Sequence, residues 1–323
     1  MTNTVARRTR AYAPASIGNV SLGFDLLGAA LAPINGELLG DWVEAIDASQ
    51  FSLSCDGAFA HKLPDDTGQN IVSQCHDYFQ IQLKNHGLQP LQVAMHLHKS
   101  LPIGSGLGSS ASSIVAAFYA LNEHAGQPFN EDKLLLMMGE LEGQISGSIH
   151  YDNVAPSYLG GMTLMTGEDS PIALRLPSFD QWYYVICYSG ITVSTAKARE
   201  ILPKQVELAD TLNFGRQLAV FTHALHTGNQ DLAGKMMQDV IAEPYRKSLL
   251  PRFDDARAYC MKNDALAFGI SGSGPTVFAL TTELSKAELM QAWLLAEYKQ
   301  NQDGFAHICK LDNLGTRLLN TDK

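Results

Sequence analysis

Apolar and polar residues alternate over residues 91–98, where Leu91, Val93, Met95 and Leu97 are separated by Gln92, Ala94, His96 and His98. Period two predicts a half-exposed strand, and it runs straight into Pro102 and a Gly/Ser-rich turn. Beyond the turn, residues 109–124 are rich in Ala and apolar side chains and end near Gly126, which predicts a helix with serines in its first turn. Asn130 is placed to cap a second helix carrying Leu134, Leu135, Met138, Leu141 and Glu142, broken by Gly143 and Gly147. Ile71, Val72, Cys75, Tyr78 and Phe79 have amphipathic helical spacing over residues 70–83, while residues 42–53 read as strands. Residues 11–31 read as a strand, a turn and a second apolar element.

In the second half, the apolar run 182–188 predicts a strand, and Ser194 can cap a helix to Leu202 that Pro203 stops. Helices are expected over 208–226, 231–241, 244–261 and 286–298, with strand, GISGSGP turn and strand over 265–280 and a last strand over 305–311. Paired strands with helices to one side predict an α+β fold. A chain of 323 residues and 35.1 kDa exceeds one ordinary core, so two domains are expected, 1–165 and 166–323.

Composition narrows the partners. With 46% apolar and 17% charged residues the chain reads as a folded, soluble protein. A net charge of −10 and a pI near 5.4 argue against nucleic acid, which needs a basic face. No apolar run follows Arg7, Arg8 and Arg10 as a signal peptide requires, and no stretch is long enough for a membrane span. Cys55, Cys75, Cys187, Cys260 and Cys309 are widely spaced, which disfavours a disulfide framework or structural zinc and fits a cytoplasmic location. His96 and His98 read as exposed strand residues rather than a metal pair.

The candidate chemistry lies in PIGSGLGSS, residues 102–110. Glycines let backbone N–H groups converge on anionic oxygens, and a following helix N-terminus adds attraction for negative charge. No Gly-Lys-Ser/Thr follows, and Ser109 stands where a dinucleotide fingerprint needs glycine. Alone, the turn is either a phosphate site or a structural loop.

Together with PASIGNVSLGFD (residues 14–25) and GISGSGPT (residues 269–276), it resembles the motif set of the GHMP kinase superfamily. Within it, residues 139–162 (GELEGQISGSIHYDNVAPSYLGGM), 192–200 (TVSTAKARE) and 241–251 (IAEPYRKSLLP), with LPDDTGQNIV, resemble the bacterial homoserine kinase family. That resemblance implies an N-terminal domain like the second domain of ribosomal protein S5, a ferredoxin-like C-terminal domain, ATP between them and a homodimer. It implies phosphoryl transfer from ATP to the side-chain hydroxyl of L-homoserine on the route to threonine.

By the same resemblance Pro102, Ile103, Gly104, Ser105, Gly106, Leu107, Gly108, Ser109, Ser110, Ala111 and Ser112 hold the nucleotide. Glu142 and Ser110 are the Mg²⁺ ligands, and Arg199 and Arg246 bind the substrate carboxylate. Asn19, Asp25, His150 and Asn153 complete the pocket. Asn19 also reads as a turn residue and Asp25 as a helix cap. Thr195 is a substrate contact or part of a cap, and Asn70 a ribose or adenine contact or a cap. Asn153 stands where some relatives have a basic aspartate, with Asp152 adjacent. The expectation is therefore catalysis by positioning and charge stabilisation, with the proton passing to the phosphate. Another small-alcohol kinase and a silent nucleotide-binding relative are the rival readings.

Overall fold

The computed structural model describes residues 6–147 and 149–320. In chain order the first half holds β1 (Arg8–Pro14), β2 (Ser16–Gly18), β3 (Leu27–Pro33), β4 (Gly40–Asp47), β5 (Leu53–Asp56), α1 (Ile71–Asn85), β6 (Val93–His98), α2 (Ser109–His124), α3 (Glu131–Ser146), α4 (Val154–Leu159), β7 (Met162–Met165) and β8 (Ala173–Leu176). The second half holds β9 (Tyr183–Tyr188), α5 (Thr195–Glu200), α6 (Leu208–His226), α7 (Gln230–Met236), α8 (Glu243–Arg246), α9 (Phe253–Lys262), β10 (Ala267–Ile270), β11 (Val277–Thr281), α10 (Leu284–Trp293), β12 (Phe305–Leu311) and β13 (Arg317–Leu319). The fold is α+β with two domains, as the sequence predicts.

A five-stranded sheet runs β13-β1-β4-β6-β5, and an eight-stranded sheet runs β10-β11-β9-β12-β3-β7-β8 with β2 paired to β3. On β6, Val93, Met95 and Leu97 are buried while Ala94, His96 and His98 are half-exposed. The alternation predicted from sequence is thus the two faces of one sheet. The buried face packs on α2, whose Ile114, Val115, Phe118 and Leu121 share a core with Val72, Phe79, Leu134, Leu135 and Met138. A second core under β3 and β9 gathers Leu27, Leu31, Trp182, Tyr184, Ile186 and Phe221.

Strands from the two halves are interleaved. Cys309 to Leu311 of β12 pair antiparallel with Leu31 to Pro33 of β3, and β13 pairs with β1. The division at 165/166 follows β7, inside a hydrogen-bonded sheet. We propose it as a boundary between ligand-binding halves of the chain, not between separate sheets.

Several elements differ from the sequence reading. α3 continues through Gly143 and ends at Gly147, whose left-handed φ of 85° stops it, so Glu142 lies inside the helix. The expected helix 244–261 is broken into α8, a short 3₁₀ turn and α9, because Pro251 and a left-handed Arg252 (φ 61°) interrupt the ladder. α7 stops at Met236, after which Asp239 accepts from the backbone N–H groups of Ile241, Ala242 and Glu243. The DNVAP segment forms α4 rather than loop, and Ser148 before it lies outside the described residues. Among the described residues no helix is long and apolar enough to cross a membrane.

Candidate active site

The three small-residue motifs meet through their backbones. Gly272 N–H donates to the Gly18 carbonyl at 3.1 Å, Thr276 N–H to the Ser105 carbonyl at 3.1 Å, and Ser16 N–H to the Leu107 carbonyl at 3.1 Å. Approach this close excludes side chains. A Cβ on Gly106 (φ 80°) would lie 2.4 Å from the Ser271 carbonyl oxygen, and one on Gly108 (φ 65°) 2.3 Å from Ser16 Oγ. Gly108 also caps α2, so the loop ends on the unpaired N–H groups of a helix start.

A cavity of about 630 Å³ opens over this junction. It is lined by Ile103, Gly104, Ser105, Gly106, Gly108, Ser109 and Ser110 of the loop, and by Asn19, Asp25, Glu142, His150, Asn153, Thr195, Arg199 and Arg246. Four of the expected nucleotide residues, Pro102, Leu107, Ala111 and Ser112, are not on its wall. Leu107 and Ala111 are core residues, and Ser112 Oγ donates to the Ala13 carbonyl at 2.8 Å and accepts from Asp41 N–H at 2.8 Å. Asn70 is also absent from the wall. It caps α1, its Oδ1 accepting from Val72 N–H at 2.9 Å, while its neighbours Gln69 and Ile71 reach the cavity.

Ser110 Oγ, in the first turn of α2, donates to Glu142 Oε1 at 2.8 Å. Burial raises the Glu142 carboxyl above its ordinary range, against the Ser110 hydrogen bond and the Lys99 charge, which lower it. A hydroxyl and a carboxylate at the end of a phosphate loop are hard oxygen donors of the kind Mg²⁺ shares with substrate phosphates. Among the described residues no group of three or more His, Cys, Asp or Glu is placed to hold a metal ion.

Across the cavity, residues 19–25 form a tight turn in which Asn19 (φ 69°), Val20 (φ 46°) and Ser21 (φ 65°) are consecutive left-handed residues and Asp25 (φ 58°) is a fourth. Such backbone costs roughly 1–2 kcal/mol per non-glycine residue. Asn19 holds it, accepting from Asp25 N–H at 3.0 Å and donating to the Gly272 carbonyl at 3.3 Å. The strain presents Asp25 to Arg199, which donates to both carboxylate oxygens at 2.9 and 3.2 Å. His150 Nδ1 lies 3.7 Å from Asp25 Oδ1, and burial holds its imidazole below its ordinary value.

Arg246 is 3% exposed and donates to the carbonyls of Ala198 and Gly272 at 3.1 and 2.9 Å. The Phe24 ring faces both guanidinium groups, at 5.2 Å from Arg246 and 5.6 Å from Arg199. Ser194, not Thr195, caps α5, and Thr195 Oγ1 faces the cavity 3.5 Å from Ser273 Oγ.

Sequence reasoning named Asp152 only as the neighbour of Asn153, with no role, and missed Lys99. Asp152, a residue 5% exposed, lines the cavity, and burial, together with Asp25 and Glu142, pushes its pKa up to about 7. Lys99 lines it too, directly beneath the first turn of α2. A lysine one residue after a predicted strand and three before the Gly/Ser turn was the available signal for the second; adjacency to Asn153 was the signal for the first.

The chain matches the GHMP kinases N terminal domain over residues 70–161 and the GHMP kinases C terminal domain over residues 221–300. It is 32% identical to the homoserine kinase from Cytophaga hutchinsonii, covering 97% of each chain with a TM-score of 0.86. The chain belongs to the GHMP kinases. It shares the fold of L. major mevalonate kinase (15% identity, 95% and 98% of the chains, TM-score 0.65) and of the Methanococcus jannaschii mevalonate kinase (15%, 96% and 100%, TM-score 0.69). It is therefore an ATP-dependent small-molecule kinase, and GHMP kinases take ATP as phosphate donor, generally with Mg²⁺.

Proposed function

We propose that this kinase transfers the γ-phosphoryl group of ATP to the side-chain hydroxyl of L-homoserine, giving O-phospho-L-homoserine and ADP. The observation that carries the reading is the opposed charge at one cavity, where Arg199 and Arg246 stand beside Asp25 and Asp152. A zwitterion needs both, a cationic clamp for its carboxylate and acceptors for its ammonium group. The 32% identity with a homoserine kinase over 97% of both chains supports the same substrate.

In this reading the loop from Ile103 to Ser110 cradles the phosphates, and the apolar wall of Leu63, Pro64, Ile71 and Ile103 takes the base. Glu142 and Ser110 hold Mg²⁺, which when bound neutralises charge developing on the phosphate oxygens. Asn19 and Asp25 fix the amino-acid end of the substrate. Asn153 accepts from Ser16 Oγ at 3.0 Å and donates to Asp152 at 3.3 Å, so it orients the carboxyl beside it. The sequence expectation passed the proton to the phosphate and gave Asp152, adjacent to Asn153, no part in that step. With its carboxyl on the cavity wall, Asp152 is the acceptor we assign to the hydroxyl proton, which leaves as the O–P bond forms and the bond from phosphorus to the ADP oxygen breaks.

ADP release measured with L-homoserine, L-threonine, mevalonate and galactose as acceptors tests the substrate. Turnover is expected with homoserine alone, and preference for another acceptor would replace the reading. Arg246→Lys separates the clamp from the nucleotide site. Losing planar two-point donation costs about 2–3 kcal/mol, so KM for homoserine should rise roughly 30- to 100-fold while KM for ATP changes little.

A further inference from the structure

A buried ion pair lies beneath the phosphate loop and takes part in none of these steps. Asp41 on β4 is fully buried, and Lys99, the residue after β6, is 2% exposed. The Lys99 ammonium donates to the Asp41 carboxylate, to Ser113 Oγ at 2.9 Å and to the Ser109 carbonyl at 2.8 Å. All three of its N–H bonds are thereby used. Asp41 Oδ1 accepts from the backbone N–H groups of Ser100 and Leu101 at 2.8 and 3.0 Å, and Oδ2 accepts from Ser113 Oγ at 2.6 Å as well as from Lys99.

Stability does not account for the pair, because buried ion pairs at best break even against apolar side chains of similar volume. A cation under a helix N-terminus also opposes the helix dipole. The orientation makes sense of both costs. Lys99 is on the wall of the cavity and Asp41 is not, so the positive end of the pair faces the place where the loop closes on phosphate.

We propose that Asp41 and Lys99 are positioning residues forming a fixed dipole that favours the polyphosphate of the nucleotide. With every Lys99 N–H already committed, the ammonium acts through space and by holding Ser109, not by touching the phosphates. A charge whose partners are set before the ligand arrives does not reorganise on binding, which is where buried electrostatics are most effective. The assignment depends on the kinase activity and not on which alcohol is phosphorylated.

The double variant Asp41→Asn, Lys99→Met removes the dipole with no change in net charge and without stranding either partner. Titration calorimetry with adenosine, MgADP and MgATP should give adenosine affinity within about twofold of the parent, MgADP about threefold weaker and MgATP about tenfold weaker, the last being ~1.4 kcal/mol. A purely structural pair would leave all three unchanged or weaken them by one common factor, and either result overturns the proposal. Should the double variant not fold, Ser113→Ala decides. It deletes the hydroxyl that bridges both partners at a helical position where alanine is favoured. The same order of losses is expected at reduced size, and equal losses for adenosine and MgATP reject the dipole.

Discussion

Glu142→Gln is expected to lower kcat about a thousandfold, the effect of losing roughly 4 kcal/mol of transition-state stabilisation. The substitution keeps the volume and an oxygen that accepts from Ser110 Oγ, which now lies 2.8 Å from Glu142 Oε1. Only the charge is lost. Phosphoryl transfer asks the protein chiefly for positioning and charge neutralisation, so removal of a metal carboxylate falls on the chemical step. The activity that remains should need a higher Mg²⁺ concentration for half-saturation.

Stability should not fall with it. Burial raises the Glu142 carboxyl, so in the protein without metal its contribution is fully present below the unfolded pKa and is lost as pH rises through the folded one. At neutral pH a neutral glutamine is therefore no worse, and the thermal midpoint without Mg²⁺ should hold or rise. A folded variant retaining a tenth of the parent kcat would remove Glu142 from the metal site.

Asp152→Asn is expected to cut kcat/KM by about 10²–10⁴-fold, the range for a positioned general base. Ionised Asp152 accepts the proton, so the parent rate should climb with pH through its pKa of about 7 and then level. The variant's lower rate should lack that limb. A limb that survives unchanged in the variant would assign it to another group.

The same substitution should stabilise the fold. A carboxyl raised from 3.8 to about 7 favours its protonated form, so the native state loses stability as pH rises from about 4 to 7, by at most ~4 kcal/mol at ~1.4 kcal/mol per unit. The gap in thermal midpoint between Asp152→Asn and the parent should widen over that window and stay constant above it. Equal midpoints at pH 8 would mean that the carboxyl is better solvated than its burial implies.

Much of the fold was legible because its signals are local. The period-two run on β6, the helix behind the Gly/Ser turn and the Asn130 cap, which accepts from Lys133 N–H at 3.0 Å, each depend on a few neighbouring residues. The misplaced ends have local causes that compete with periodicity. Gly143 lies within α3 because glycine permits but does not demand an ending, whereas the left-handed turn at Gly147 does. β7, β8 and β13 are only three or four residues long, too short for a pattern, and β13 exists because β1 offers it an edge.

The site divides along the same line. Sequence alone determined that three glycine- and serine-rich stretches are present, that one of them opens a helix, and that the charge needed to hold an anion must be gathered locally in an acidic chain. Only the tertiary structure decided that these stretches touch, that Arg199 finds Asp25 across 174 positions of chain, and that Asp152 and Lys99 belong to the cavity while Asn70 serves as a cap. The reason is physical. Periodicity and backbone conformation are set by residues a few places apart, whereas the burial and the partners that make a carboxyl or an ammonium useful come from segments that meet only when the sheets have formed.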